Sequence, residues 1–434
     1  MLAFYTSIKN KLTSFFGSKY GCLYFVGLIV FAQALRRSHG SLKSNHLILL
    51  SLITFFALVD QFKNGGLTKK AKVLCFFIFA VMSITKFEII YSASESWRYL
   101  YAGGFALVLA LAFVPNLLKW PASYYQRCAL GLMVLLLCLV PFASTNPAVD
   151  VWVYFERASA ELLNFSNPYL VKYPDIYHGA HHYNPLFIYW PLNLYLMAPI
   201  ALIADIRFSL IIAFALTAMI LGKKYKLGFW EIGIFLLFPI NIFVIEQSWI
   251  EPLMLPFMAL HFYSIKKEKY IQAGIWLGLL CALKQFMLFP FLLSSFYLYR
   301  KSSFKKTLIA PAIIVATFTP FLISAPEVFL KNTFLAFLNF PERIDSLSWV
   351  AFSLYHFEAS IPSVVIVLLY LGIFLYCLWV LARNLNPASL KWGHFLTLAI
   401  VFLFGKQSFA NYYFVLFFIY YLAIIERTDK VPTS

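Results

Sequence analysis

What most limits the fold of this chain is a succession of apolar runs joined by short, mostly basic connections. Runs lie near 20–35, 46–60, 73–91, 99–118, 128–142, 206–222, 228–245, 252–265, 270–283, 286–299, 307–325, 360–381, 393–405 and 411–425. Backbone in hydrocarbon must satisfy its own hydrogen bonds, so runs of this kind predict helices and not open sheet. About 20 residues cross the core of a bilayer, and several runs fall short, which predicts polar helix ends packed inside the protein. Only 12% of the 434 residues are charged, against roughly 25% in soluble domains. The expected fold is an all-α polytopic membrane protein with about 14 transmembrane helices.

Charge sets the expected orientation, because cytoplasmic connections carry the excess of Lys and Arg. The clusters Lys63/Lys69/Lys70/Lys72, Lys119/Arg127, Lys223/Lys224/Lys226, Lys266/Lys267/Lys269, Arg300/Lys301/Lys305/Lys306 and Arg383/Lys391 can all share that side. Residues 143–183, 246–251 and 326–358 then face the other side, and both termini, with a tail at 426–434, are cytoplasmic. Arg36, Arg37 and Lys43 dissent, since they fall outside. The phase holds only if 184–204, broken by Pro185, Pro191 and Pro199, stays in the outer leaflet and does not cross. Residues 270–299 read as a hairpin with its tip at Lys284-Gln285, where Gly274 and Gly278 permit close helix approach. The net charge of +17 thus serves topology, and nucleic-acid binding is excluded. The six cysteines lie in or beside apolar runs, so neither disulfides nor a zinc site is expected. No cleaved leader is expected either.

One polar stretch interrupts this pattern. Asp150–Pro191, DVWVYFERASAELLNFSNPYLVKYPDIYHGAHHYNPLFIYWP, begins as an amphipathic helix, continues as a histidine-bearing loop and re-enters on prolines and aromatics. On the same side fall Glu246 and Glu251 in EQSWIEP, Lys284-Gln285, Arg343, and Lys406-Gln407 before FANYYF. Carboxylates such as Asp150, with Glu156, Glu246 and Glu251 in support, can deprotonate a hydroxyl. Lys284, Gln285, Lys406, Arg343, His181 and His182 can hold a phosphate. Each has a plainer reading: Asp150 as a helix cap, Glu156 as a solvated helix face, Glu246 and Glu251 as loop charges, Lys284 and Lys406 as snorkelling lysines. Charges inside a membrane are expensive, which favours function for Lys284. His178, His181 and His182 form no convincing metal tract. Lys86 and Glu88, within a hydrophobic run, read as a structural pair.

These residues resemble the GT-C-fold integral membrane glycosyltransferases, closest to the polyprenyl-phosphate-sugar-dependent mannosyltransferase-like group. The resemblance rests on Asp150, Tyr154, Asn167-Pro168-Tyr169 and Tyr183-Asn184-Pro185, on the hairpin GIWLGLLCALKQFMLFPFLL, and on KQSFANYYF. It covers 128–425 as a catalytic domain, with 143–204 as the long first catalytic outer loop and 1–127 as additional N-terminal helices. It implies transfer of a sugar, a hexose such as mannose, from a polyprenyl-phosphate donor to a glycan or lipid acceptor by inverting displacement. By it Asp150 is the general base, Glu246 or Glu251 stands for the second acidic motif, and Tyr154, Tyr169, Tyr183 and Tyr412 contact sugar or acceptor. The Asp-rich form of that second motif is absent and the Pro expected after the hairpin lysine is Gln285. No cofactor is therefore expected, with a divalent metal as the alternative. The expected location is a cell inner membrane, or the endoplasmic reticulum membrane of a eukaryote, with the site extracytoplasmic or lumenal. Two other functions suit the same composition: a flippase for lipid-linked sugars, and a glycan ligase or polymerase using a pyrophosphate-linked donor.

Overall fold

Apolar periodicity becomes helix along the chain. The computed structural model describes residues 14–16, 19–38, 41–60, 66–179, 185–336 and 340–425. Among them there is no strand, only an isolated β-bridge between Ser41 and Ser346. Among the described residues four helices are long and apolar enough to cross a membrane: Ser96–Pro115, Ala122–Ala143, Phe304–Ser324 and Ser363–Arg383. Their outer faces explain where they sit. On Ser363–Arg383, Val364, Leu368, Leu371 and Leu375 stand exposed, a stripe at helical spacing that water would not tolerate and hydrocarbon accepts. These helices form the periphery of a membrane protein.

Shorter helices fill the middle. Ala410–Ile425 is buried at every position but Tyr412, and it packs against Lys19–Ser38, Pro387–Leu403 and Met254–Lys266. Its 16 residues span about 24 Å, less than a bilayer core of about 30 Å. Its ends are accordingly enclosed by protein.

Where an apolar run breaks, a polar group repairs the backbone. The run 228–245 is helix Phe229–Leu236, then a turn at Pro239, then helix Asn241–Glu246. Asn241 Nδ2 donates to the carbonyls of Phe235 and Leu236 at 2.9 and 3.0 Å, acceptors that the missing turn would orphan. The run 73–91 likewise stops being helical at Thr85. The Glu246 carboxylate accepts the freed N–H groups of Ile90 and Tyr91 at 2.9 and 2.7 Å.

The dissenting cation Arg36 is neutralised inside the protein. Its Nε lies 2.8 Å from Glu88, and Lys86 Nζ lies 3.1 Å from the other Glu88 oxygen. Arg36 and Glu88 are both buried, so the expected Lys86–Glu88 pair is a three-member cluster that joins two helix ends. At the other end of helix Lys69–Thr85, Lys72 pairs with Glu231 at 2.6 Å.

The hairpin is as expected, Tyr270–Cys281 followed by Leu288–Lys301. A Cβ on Gly278 would fall 2.9 Å from the Ala310 carbonyl oxygen, and one on Gly274 3.2 Å from that of Lys306. Glycine here lets the hairpin lie directly on helix Ile309–Ser324. Residues 185–190 run without helix and lead into Pro191–Ala201. At 11 residues that helix reaches about 16 Å, half a crossing. Buried Asn193 donates to the Leu283 carbonyl at 2.7 Å and fastens this element to the hairpin tip.

Candidate active-site cavity

The amphipathic helix forms at Asp150–Leu163. Asp150 is its first residue and Tyr154 lies one turn on, so both present the same face. Val149 at the cap position makes no side-chain bond. Asp150 Oδ1 instead accepts the adjacent Val151 N–H at 2.8 Å and the Tyr177 hydroxyl at 3.3 Å. Tyr177 comes from a turn in which Asp175 accepts the Tyr177 and Gly179 N–H groups at 3.0 and 2.6 Å.

Opposite elements close a cavity of about 270 Å³, lined among others by Asp150, Tyr154, Tyr177, Tyr189, Trp249, Glu251, Lys284, Gln285, Arg343, Asp345, Asn411 and Tyr412. Glu251 follows the turn after Glu246 and is fully buried. Its Oε1 receives Lys284 Nζ at 3.0 Å and Asn411 Nδ2 at 2.8 Å. Burial is the largest influence on the Lys284 pKa and depresses it; the Glu251 carboxylate and Tyr412 together outweigh it and hold the ammonium above the usual lysine value. Lys284 also lies 5.1 Å from the Tyr412 ring centroid and 5.7 Å from that of Tyr189, positions where aromatic faces stabilise a cation. Gln285 spends its amide on structure, donating to the carbonyls of Ile188 and Thr333 at 3.3 and 3.2 Å.

The roof is the segment 340–348. Arg343 makes a two-pronged pair with Asp345, at 2.7 Å from Nε and 2.6 Å from Nη2, and lies 5.0 Å from the Phe409 ring centroid. Three neighbours hold the roof: Arg343 N–H donates to the Lys406 carbonyl, Leu347 N–H to that of Ser408, and Leu42 N–H to that of Asp345. Ser41 lines the cavity too. The N-terminal helices thus help to close the site and are not merely appended to it.

Asp150, Tyr154, Glu251, Lys284, Gln285, Arg343 and Tyr412 therefore meet in one cavity, although up to 262 positions separate them in sequence. Other expected site residues lie elsewhere. Glu246 holds the 90–91 backbone, with burial raising its pKa against those N–H donors. Glu156 points toward Asp205 and Arg207, and burial raises its pKa first, with Asp205 adding to the effect. Six residues from Asp150 is a rotation of roughly 240° on a helix, the far side. Lys406 contributes its carbonyl to the roof, and its side chain does not line the cavity. Tyr169 is buried among Phe187, Phe321 and Phe329, its hydroxyl given to the Tyr189 carbonyl at 2.6 Å. The Asn167-Pro168-Tyr169 motif is thus a capped turn that nails the loop down, Asn167 accepting the Tyr169 N–H at 3.0 Å. His181, His182 and Tyr183 lie outside the described residues.

Tyr177, Asp345, Asn411 and Trp249 were not singled out by the sequence. One signal was available: Asn411 stands within the late polar-aromatic motif, at the mouth of an otherwise apolar run. Among the described residues no group of three or more His, Cys, Asp and Glu side chains is placed to hold a metal ion. Chemically, the cavity offers a carboxylate base, an ammonium and a guanidinium within an aromatic wall. No protein-family model and no curated protein matches this sequence.

Proposed function

We propose that the protein is a glycosyltransferase that moves a single sugar from a polyprenyl-phosphate donor to a hydroxyl of a glycan or lipid acceptor. A hexose such as mannose is the expected sugar. The reading includes a GT-C-like fold of about 14 crossings, with the cavity opening on the extracytoplasmic side. The observation that carries it is the convergence of Asp150 with Lys284 and Arg343 in a sugar-sized cavity inside a membrane protein. A carboxylate alone would suit many proteins. A carboxylate facing two cations suits a reaction in which a proton leaves on one side and a phosphate on the other.

The step is a single displacement. The acceptor oxygen attacks the anomeric carbon, its proton passes to Asp150, and the bond from that carbon to the phosphate oxygen breaks. The electron pair leaves with the lipid monophosphate, whose added charge Lys284 and Arg343 stabilise. One displacement inverts the anomeric centre. Base catalysis of this kind contributes about 10²–10⁴ in rate.

Two features weigh against the ligase or polymerase reading. The cavity's volume of about 270 Å³ falls below the roughly 300–1,000 Å³ of sites for drug-sized ligands, which suits one sugar ring better than an oligosaccharide. Among the described residues its lining holds Asp150, Glu251 and Asp345 against Lys284 and Arg343, an excess of negative charge that disfavours a pyrophosphate. The test is the protein in proteoliposomes with a polyprenyl-phosphate hexose and a membrane acceptor fraction. New glycosidic bonds with release of lipid monophosphate support the proposal. Translocation without bond formation, or release of lipid diphosphate, would replace it with a flippase or a ligase.

A further inference from the structure

One wall of the cavity is formed by Glu251 and Asn411, each of which carries a buried acceptor oxygen that lacks a donor. Glu251 Oε1 is satisfied by Lys284 and Asn411, yet Glu251 Oε2 and Asn411 Oδ1 meet no hydrogen-bond partner. Both residues are more than nine-tenths buried, at 0% and 8% exposed, and both line the cavity. A buried acceptor left unpaired is unfavourable, and its natural complement is a donor arriving with a ligand. The last torsions of Glu and Asn side chains are soft, so either oxygen turns toward such a donor at little strain.

Charge points the same way. Lys284 is engaged with Glu251 and Arg343 with Asp345, while Asp150 takes its bonds from Val151 N–H and the Tyr177 hydroxyl. The incoming phosphate has to share those two cations, and among the described residues of the lining a second anion on the ligand finds no further Lys or Arg.

We infer that the Glu251–Asn411 wall selects a monosaccharide whose edge donates hydrogen bonds through free hydroxyls, and that it excludes a uronic acid. The inference rests on the glycosyltransferase reading and narrows its donor. A carboxylate at that edge sets acceptor against acceptor and adds charge to an anionic lining. Sites that depend on a ligand's hydroxyl discriminate strongly against analogues that cannot donate.

The test measures binding separately from transfer. Purified protein in nanodiscs is titrated with three probes: a short-chain polyprenyl phosphate, its mannosyl ester and its glucuronosyl ester. The mannosyl lipid is expected to bind about 100-fold more tightly than the glucuronosyl lipid. Asn411→Leu is expected to weaken the mannosyl lipid about 10-fold and leave the unglycosylated phosphate unchanged, which also shows that the variant folds. Equal binding of the two sugar lipids, or equal loss for all probes in Asn411→Leu, overturns the inference and leaves the wider reading standing. Failure of both sugar lipids to bind overturns both.

Discussion

Replacing Lys284 by methionine tests whether the buried ion pair serves the fold, the chemistry, or both. Its ammonium lies 3.0 Å from the Glu251 carboxylate, and at an effective dielectric near 20 that separation corresponds to roughly 5.5 kcal/mol of attraction. Desolvation of two charges offsets much of this in the native protein. Removing one partner is a different matter, because Glu251, fully buried, then keeps its charge with only Asn411 as donor. Breaking a buried pair in this way costs about 3–5 kcal/mol, two to three and a half decades in the unfolding equilibrium. Met keeps the length of the side chain, so little packing is lost. The assay is unfolding in mixed micelles, monitored by tryptophan fluorescence, alongside sugar transfer. Lys284→Met should unfold at markedly lower denaturant, and the double variant Lys284→Met/Glu251→Gln should recover most of that stability because no charge is stranded. Transfer should stay abolished in both, since the cation is gone. Wild-type stability in Lys284→Met, or recovered transfer in the double variant, refutes the reasoning.

Three further expectations concern other parts of the structure. Tyr177→Phe removes the hydroxyl that Asp150 accepts and should lower kcat about 10-fold with KM nearly unchanged, a split that steady-state kinetics reads directly; a rise in KM alone would make Tyr177 a binding residue. Gly278→Leu drives side-chain atoms into the Ala310 backbone 2.9 Å away and should destabilise the protein by about 1–3 kcal/mol or more, seen as a lower unfolding midpoint with the same donor affinity in the folded fraction. Glu88→Ala leaves Arg36 buried without its carboxylate and should cost about 3–5 kcal/mol, whereas Arg36→Leu/Glu88→Leu should recover much of it.

Much of the fold was legible because hydrocarbon permits so few backbone solutions. Every long apolar run holds helix, and 270–299 folds as a helical hairpin with its break at 282–287. The breaks were harder to place. Asn241 stitches one to the last turn of the preceding helix and Glu246 stitches another to distant, non-helical backbone, and a single polar residue in an apolar run does not announce its partner. Of the three cations that dissent from the positive-inside pattern, Arg36 finds its counter-charge only in three dimensions, in Glu88 more than fifty residues away.

The site was legible at residues that are expensive where they stand. Asp150, Lys284 and Glu251 are charges beside apolar sequence, and the cavity brings them together. Glu246 and Glu251 look alike within EQSWIEP, but the turn at Ser248, with φ of 53°, sends them to different partners. Tyr177 was hidden among 27 tyrosines, since a phenol carries no charge to mark it. Tyr169 misled for the opposite reason: its motif resembles a functional one, and the loop uses it as an anchor.

The central claim is that Asp150 takes the acceptor proton in this cavity. Asp150→Asn keeps the shape of the side chain and its acceptor oxygen for Val151 N–H, and removes the basic carboxylate. Reconstituted with a polyprenyl-phosphate hexose and acceptor, this variant should bind the donor lipid with wild-type affinity and transfer sugar about 10²–10⁴-fold more slowly. Transfer near the wild-type rate contradicts the account.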